Sequence, residues 1–122
     1  MYKILVADDA EVLRMLIVDT LEDEEGYIID EAADGRDAYE KASAASYDLL
    51  IIDNMMPEYN GVEVVSMLRE DGRLENMKTL MITAKSQDKD KEEARKAGVM
   101  EFVSKPFSPA LLITIVEELL DA

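Results

Sequence analysis

Five short apolar runs, each followed by a stretch of helical character, predict a doubly wound α/β domain for this 122-residue chain. Two further observations point the same way. The third run, Leu49-Leu-Ile-Ile52, is unbroken and ends in β-branched residues, which suits a strand buried on both faces. Polar side chains also gather where the runs end: Asp8 and Asp9, Asp53, Thr83, and Lys105. Open parallel sheets place their ligands outside those strand ends.

The first strand is expected over Lys3–Ala7, ending at Asp8-Asp9. A helix follows, with Val12, Leu13, Leu16, Ile17 and Leu21 as its apolar face and Gly26 as its stop. The acidic run Glu22 to Glu25 near that stop opposes the helix macrodipole, at about 0.3–1 kcal/mol per residue where unscreened. Tyr27–Ala32 reads as the second strand, Asp34-Gly35 as a turn and Arg36–Ala45 as a short Ala-rich helix. After the central strand, Asn60 with Glu63 three places on forms a capping box that opens a helix through Leu68. Thr79–Thr83 is the fourth strand, Asp88–Lys96 a helix closed by Gly98, and Val99–Ser104 the fifth strand. Ser108 and Pro109 supply the cap and first residue of a last helix reaching about Leu120. Strands alternating with helices imply a parallel sheet joined by right-handed crossovers.

Composition narrows the chemistry. The length suits one domain, residues 1–122, able to bury about two-thirds of its unfolded surface. No run approaches the ~20 apolar residues of a membrane span, and no signal peptide precedes the first strand, so a cytoplasmic location is expected. The chain has no Cys and no His, which excludes thiol and imidazole nucleophiles, thiolate zinc sites and His-based triads. A formal charge of −15 argues against direct binding to nucleic acid or an anionic membrane. Most of it lies in residues 1–60, at net −12, against −3 for the remainder.

Taken alone, Asp53 could simply cap a loop. Three carboxylates, a hydroxyl and an ammonium, all at the C-terminal ends of strands in one parallel sheet, are a different matter. Carboxylates about 5 Å apart repel by roughly 3 kcal/mol per pair at an effective dielectric of 20. Such a cluster favours a cation, and oxygen ligands favour Mg²⁺. A carboxylate can be a nucleophile toward phosphorus, while Lys105 and Thr83 can bind phosphoryl oxygens.

Over its full length the sequence resembles the receiver domain of bacterial two-component response regulators. The resemblance rests on Asp8-Asp9, on Asp53 with Met56-Pro57 and Gly61 behind it, on Thr83-Ala84, and on Lys105-Pro106-Phe107. It implies the strand order 2-1-3-4-5, which periodicity alone does not supply. It implies that Asp53 accepts a phosphoryl group from a phosphohistidine on a histidine kinase or histidine phosphotransfer protein. Asp9, Asp53 and the Met55 backbone carbonyl would hold Mg²⁺, with Asp8 assisting through water, while Thr83 and Lys105 would bind phosphoryl oxygens. Phe102 falls at the family's aromatic switch position, and the Lys105–Pro106 bond resembles the family's cis peptide. Phe102 has no hydroxyl, so a switch there must work by packing. Met55 and Lys85 occupy the two positions that tune dephosphorylation in the family, one apolar and one cationic.

The same resemblance implies a downstream protein target met by the face running from the fourth helix to the fifth. The fourth helix has few apolar anchors, Ala94 and Ala97 with Val99 just beyond, so it is expected to dock weakly. On the last helix Leu111, Leu112, Ile115, Val116 and Leu119 span one face. Ile113 and Leu120 widen the apolar arc and are expected to form part of a partner surface or of a phosphorylation-dependent homodimer. Nothing follows Ala122, so a receiver unit is expected, either independent or cut from a longer protein. Three other readings remain: a Mg²⁺-dependent aspartyl-phosphate phosphatase of the haloacid dehalogenase type, a flavodoxin-like flavin carrier, and a protein-binding receiver that never cycles phosphate. The first needs a second Asp where Met55 stands, the second a phosphate-binding loop where Asp8-Asp9 would repel phosphate. The third should have broken site residues.

Overall fold

The computed structural model describes residues 1–121. The strands are β1 (Tyr2–Ala7), β2 (Tyr27–Ala32), β3 (Leu49–Ile52), β4 (Lys78–Thr83) and β5 (Glu101–Ser104). They form one parallel sheet in the order β2-β1-β3-β4-β5, as the resemblance implies. The helices are α1 (Glu11–Glu22), α2 (Gly35–Ala44), α3 (Gly61–Glu70), α4 (Asp88–Ala97) and α5 (Pro109–Asp121). Among the described residues no helix is long and apolar enough to cross a membrane.

Alternation along the strands builds two cores. Leu5, Ala7, Leu50, Ile52 and Met81 point to one face, where α2, α3 and α4 supply Ala38, Ala42, Val64, Val65, Leu68, Ala94 and Ala97. Ile4, Val6, Leu49, Ile51, Leu80 and Ile82 point to the other, against Ile17, Val18 and Leu21 of α1 and Leu112, Val116 and Leu120 of α5. A two-residue period thus divides each strand between the two layers. Strand β3 has both faces covered and every side chain buried, which is why its sequence is apolar without interruption.

Register determines where the polar residues fall. Ala7 pairs with Ile52 and Thr83 with Ser104, so Asp8 and Asp53 leave the sheet side by side and Lys105 emerges next to Thr83.

Local chemistry sets the element ends. Asn60 accepts from the Glu63 N–H at 2.8 Å while Glu63 accepts from the Asn60 N–H at 2.9 Å, completing the expected capping box. Asp34 caps α2 by accepting from the Asp37 N–H, so that helix begins at Gly35, one residue early. Strand β5 starts at Glu101, two residues later than expected, because the Val99 N–H is taken by the Ala94 carbonyl closing α4. A single 3-10 turn at Arg73–Glu75 follows Gly72, whose φ of 76° is left-handed, and lacks the periodicity that would reveal it in sequence.

Two helix faces differ from expectation. In α1 the stripe toward the sheet is Ile17, Val18 and Leu21, while Val12 and Leu16 are exposed, at 79% and 44%. Both are apolar at helical spacing but lie off the face that meets the sheet. In α5, Leu120 is a core residue and so does not form the outward surface expected of it, whereas Ile113 is half-buried and Leu111 is exposed. The cause is α1, which lies alongside α5 and brings Ile17, Val18 and Leu21 into the cluster that holds Leu120.

Gly35 lies under the segment that joins β3 to α3. Its N–H donates to the Pro57 carbonyl at 3.2 Å, and a Cβ there would stand 1.8 Å from the Tyr59 carbonyl oxygen. Gly35→Ala is therefore expected to lower stability by about 2 kcal/mol, as overpacking against backbone does. Urea unfolding measures it, and a loss below about 0.5 kcal/mol, the size of an ordinary surface substitution, would show that the segment yields freely.

Candidate functional site

Asp8, Asp9 and Asp53 converge at the C-terminal edge of the sheet, each offering a carboxylate oxygen within 4.8 Å of the others. Asp8 is 1% exposed and Asp53 6%, while Asp9 stands in solvent. Burying two carboxylates needs compensation, and Lys105 supplies it. Its Nζ donates to Asp8 Oδ2 and to Asp53 Oδ2, both at 2.8 Å. Burial pushes the Lys105 ammonium pKa down, but the hydrogen bonds to Asp53 and Asp8 prevail and hold it above the usual lysine value.

Each carboxylate is also fixed locally. Asp8 Oδ1 accepts from the Ala10 N–H at 2.9 Å, an Asx-type turn leading into α1. Asp53 Oδ1 accepts from the Met55 N–H at 3.0 Å, which starts the β3–α3 loop. Asn54 organises the rest of that loop: its carbonyl accepts from Met56 and Gly61, and its side chain from the Val62 N–H at 2.9 Å. Gly61 is required there, since a Cβ would lie 2.6 Å from the Asp53 carbonyl oxygen. Sequence reasoning passed over Asn54, although an Asn directly after a strand-end Asp is itself a turn signal.

The other expected site residues lie around this centre. Thr83 is fully buried and its hydroxyl accepts from the Lys85 N–H at 3.3 Å; that contact is with the following loop and not with the carboxylates. Met55 is 56% exposed, two residues beyond Asp53. Phe102 is half-buried against the core below α4, with the Lys91 ammonium 5.9 Å from its ring centre. The Lys105–Pro106 peptide is cis. Beside Lys105, the residues Leu13, Leu16, Ala84, Pro106 and Phe107 line an apolar hollow.

The profile of the response regulator receiver domain matches residues 4–117. The chain belongs to that family. It is 39% identical over 118 residues to the transcriptional regulatory protein ResD of Bacillus subtilis (strain 168), a match covering 97% of this chain and 48% of that one. The chain thus spans about half the length of such relatives. Among solved structures, the chemotaxis protein CheY4 of Vibrio cholerae is similar with a TM-score of 0.90 and 34% identity, covering 98% of this chain and 99% of that one. The receiver domain of the Francisella response regulator 1452 gives 0.91 and 30%, with 99% and 98% covered. Response regulators are components of two-component signalling, and the receiver is their switch.

The carboxylates of this site fit a hard divalent cation: oxygen donors with negative charge in excess, and no nitrogen or sulfur. Lys105 relieves part of that excess, and a pH dependence follows. A lysine whose folded pKa is raised contributes stability fully present below the unfolded value near 10.5, lost as pH rises through the folded one. Lys105→Met should be less stable than wild type by about 3 kcal/mol at pH 7, because two buried carboxylates lose their partner. The gap should narrow above about pH 10.5. Paired denaturant melts across pH 7 to 11.5 test this; a gap independent of pH would contradict it.

Proposed function

We propose that residues 1–122 act as a phosphorylation-activated switch in which Asp53 is the phosphoacceptor. The observation that carries this reading is the convergence of Asp8, Asp9 and Asp53 around the Lys105 ammonium. The donor is a phosphohistidine on a histidine kinase or a histidine phosphotransfer protein. An Asp53 carboxylate oxygen attacks phosphorus in line, an O–P bond forms, the N–P bond of the phosphohistidine breaks, and the imidazole leaves with the electron pair. Asp9, Asp53 and the Met55 carbonyl would hold Mg²⁺, with Asp8 helping through water. Held there, Mg²⁺ would supply positive charge to offset that of the carboxylates and the phosphoryl group.

The residues of the chain perform the rest. Lys105, which bridges Asp8 and Asp53, is placed to follow the transferred phosphoryl oxygens, and the Thr83 hydroxyl would turn from the Lys85 N–H to another of them. That turn draws on the β4–α4 loop and so on α4. This helix buries only Asp90, Ala94 and Ala97, little apolar surface for ten residues, so a modest change in the loop can shift its docking. Phe102, packed below it, would repack in step. The output is a changed α4–β5–α5 face presented to a downstream protein, or to a second copy of the chain. Ile113, half-buried, and Leu111, exposed, would give α5 its apolar part of that face, whereas Leu120 is buried in the core. The domain acts on its own phosphoryl group and on no external substrate.

Acetyl phosphate with Mg²⁺ should label wild-type protein at Asp53, and Asp53→Asn should abolish the label; undiminished labelling of that variant, read by mass spectrometry, would remove the assignment. Mg²⁺ at ten times its dissociation constant should stabilise the fold by roughly 1.4 kcal/mol. Asp9→Ala should lose most of that gain while being more stable than wild type without metal, because one source of repulsion is gone. For the switch, hydrogen exchange over residues 84–104 should rise or fall when beryllofluoride is added. Equal protection in both states would argue against α4 as the moving element.

A further inference from the structure

The inward stripe of α1 contains a cation. Arg14 lies three, four and seven residues before Ile17, Val18 and Leu21, and its side chain is 15% exposed. Its Nη1 donates to the Asp8 carbonyl oxygen at 2.7 Å, and its Nε donates to Glu31 Oε1 at 3.0 Å. The guanidinium therefore spans from the end of β1 to the end of β2. Its ion-pair partner is Glu31 and none of the three clustered carboxylates.

The anchored atom has a particular meaning. The Asp8 carbonyl belongs to the peptide plane that joins Asp8 to Asp9, and that plane sets the direction in which the Asp9 side chain leaves the backbone. The other anchors of Asp8 hold its amide, which donates to the Ala32 carbonyl at 3.2 Å, and its carboxylate, held by Ala10 and Lys105. Asp9 is exposed and repelled by its two neighbours, so an unfixed plane would let it swing outward, away from Asp53. A guanidinium fork is suited to hold the carbonyl, since its planar donors reach two acceptors at once. Glu31 offsets its charge, so the anchor does not repel a cation at the carboxylates.

We propose that Arg14 is a positioning residue for the acidic site, aiming Asp9 through the Asp8–Asp9 peptide plane, with Glu31 as its charge partner. This inference rests on the metal-dependent reading of the cluster. Outer groups that orient metal ligands commonly change metal affinity by 10–100-fold when removed. Arg14 acts through one ligand, so the lower end applies.

Isothermal titration with Mg²⁺ at 25 °C tests it on wild type, Arg14→Met, Arg14→Lys and Glu31→Gln. Metal-free unfolding of each variant is measured in parallel. Arg14→Met is expected to raise the Mg²⁺ dissociation constant about tenfold. Arg14→Lys should fall between wild type and Met, because one ammonium can keep the Asp8 carbonyl but not the fork. Glu31→Gln should weaken binding by less than Arg14→Met. At saturating Mg²⁺ the labelling rate of Arg14→Met by acetyl phosphate should return to the wild-type value. A packing role alone would lower metal-free stability and leave the dissociation constant unchanged, and that result overturns the proposal. Should Arg14→Met fail to fold, Glu31→Gln decides alone, since it alters a half-exposed carboxylate; an unchanged constant there also overturns it. A wild type without Mg²⁺ binding defeats the metal reading itself and is seen before any variant is compared.

Discussion

The Lys105 ammonium holds the C-terminal edge of this sheet together. It bridges Asp8 and Asp53, residues 97 and 52 positions away in sequence, and so ties the loop after β5 to the ends of β1 and β3. Without it, two nearly dry carboxylates would face each other with a third beside them, and the strands that carry them could not end where they do at so little cost. The geometry around it follows: the Asx turn at Asp8, the tight β3–α3 loop over Gly61, and the buried Thr83 at the end of β4.

Much of this was legible in the sequence because two strong signals coincide. Leu49–Ile52 has no polar residue, which only a strand covered on both faces tolerates, and the polar residues at the ends of the other runs share a register. The capping box at Asn60 and Glu63 was readable for the same reason: it is local chemistry at fixed spacing. The strand order was not readable from periodicity and came from family resemblance, since pairing between distant strands leaves no local trace.

The misreadings have a common origin. Hydrophobic periodicity tells which residues are apolar, not which neighbour will cover them. Val12 and Leu16 match the pattern and stand in solvent, while Arg14 breaks it and faces inward because two oxygen acceptors await it there. Leu120 reads as surface because the apolar arc of α5 is wider than a sheet alone can cover; α1 covers it. Asp90 was missed likewise: an acid in a helix's first turn looks solvated, yet here it is buried and accepts from the Gln87 N–H at 3.0 Å. Charged residues on inward faces are where pattern reading fails and where contact chemistry begins.

The sparse anchoring of α4 has a thermal consequence. Apolar surface uncovered by a conformational change raises the heat capacity by about 0.45 cal/K/mol per Å², and a large heat-capacity change makes an equilibrium curve steeply with temperature. Helix α4 rests on two alanine methyls and on Asp90, whose carboxylate caps the helix and lies 3.7 Å from the Lys85 ammonium. Loosening such an element exposes little apolar surface, and exposed polar groups offset part of that. Its docking balance should therefore drift little between cold and warm conditions. A helix seated on leucines would be held more firmly, but its set point would move with temperature.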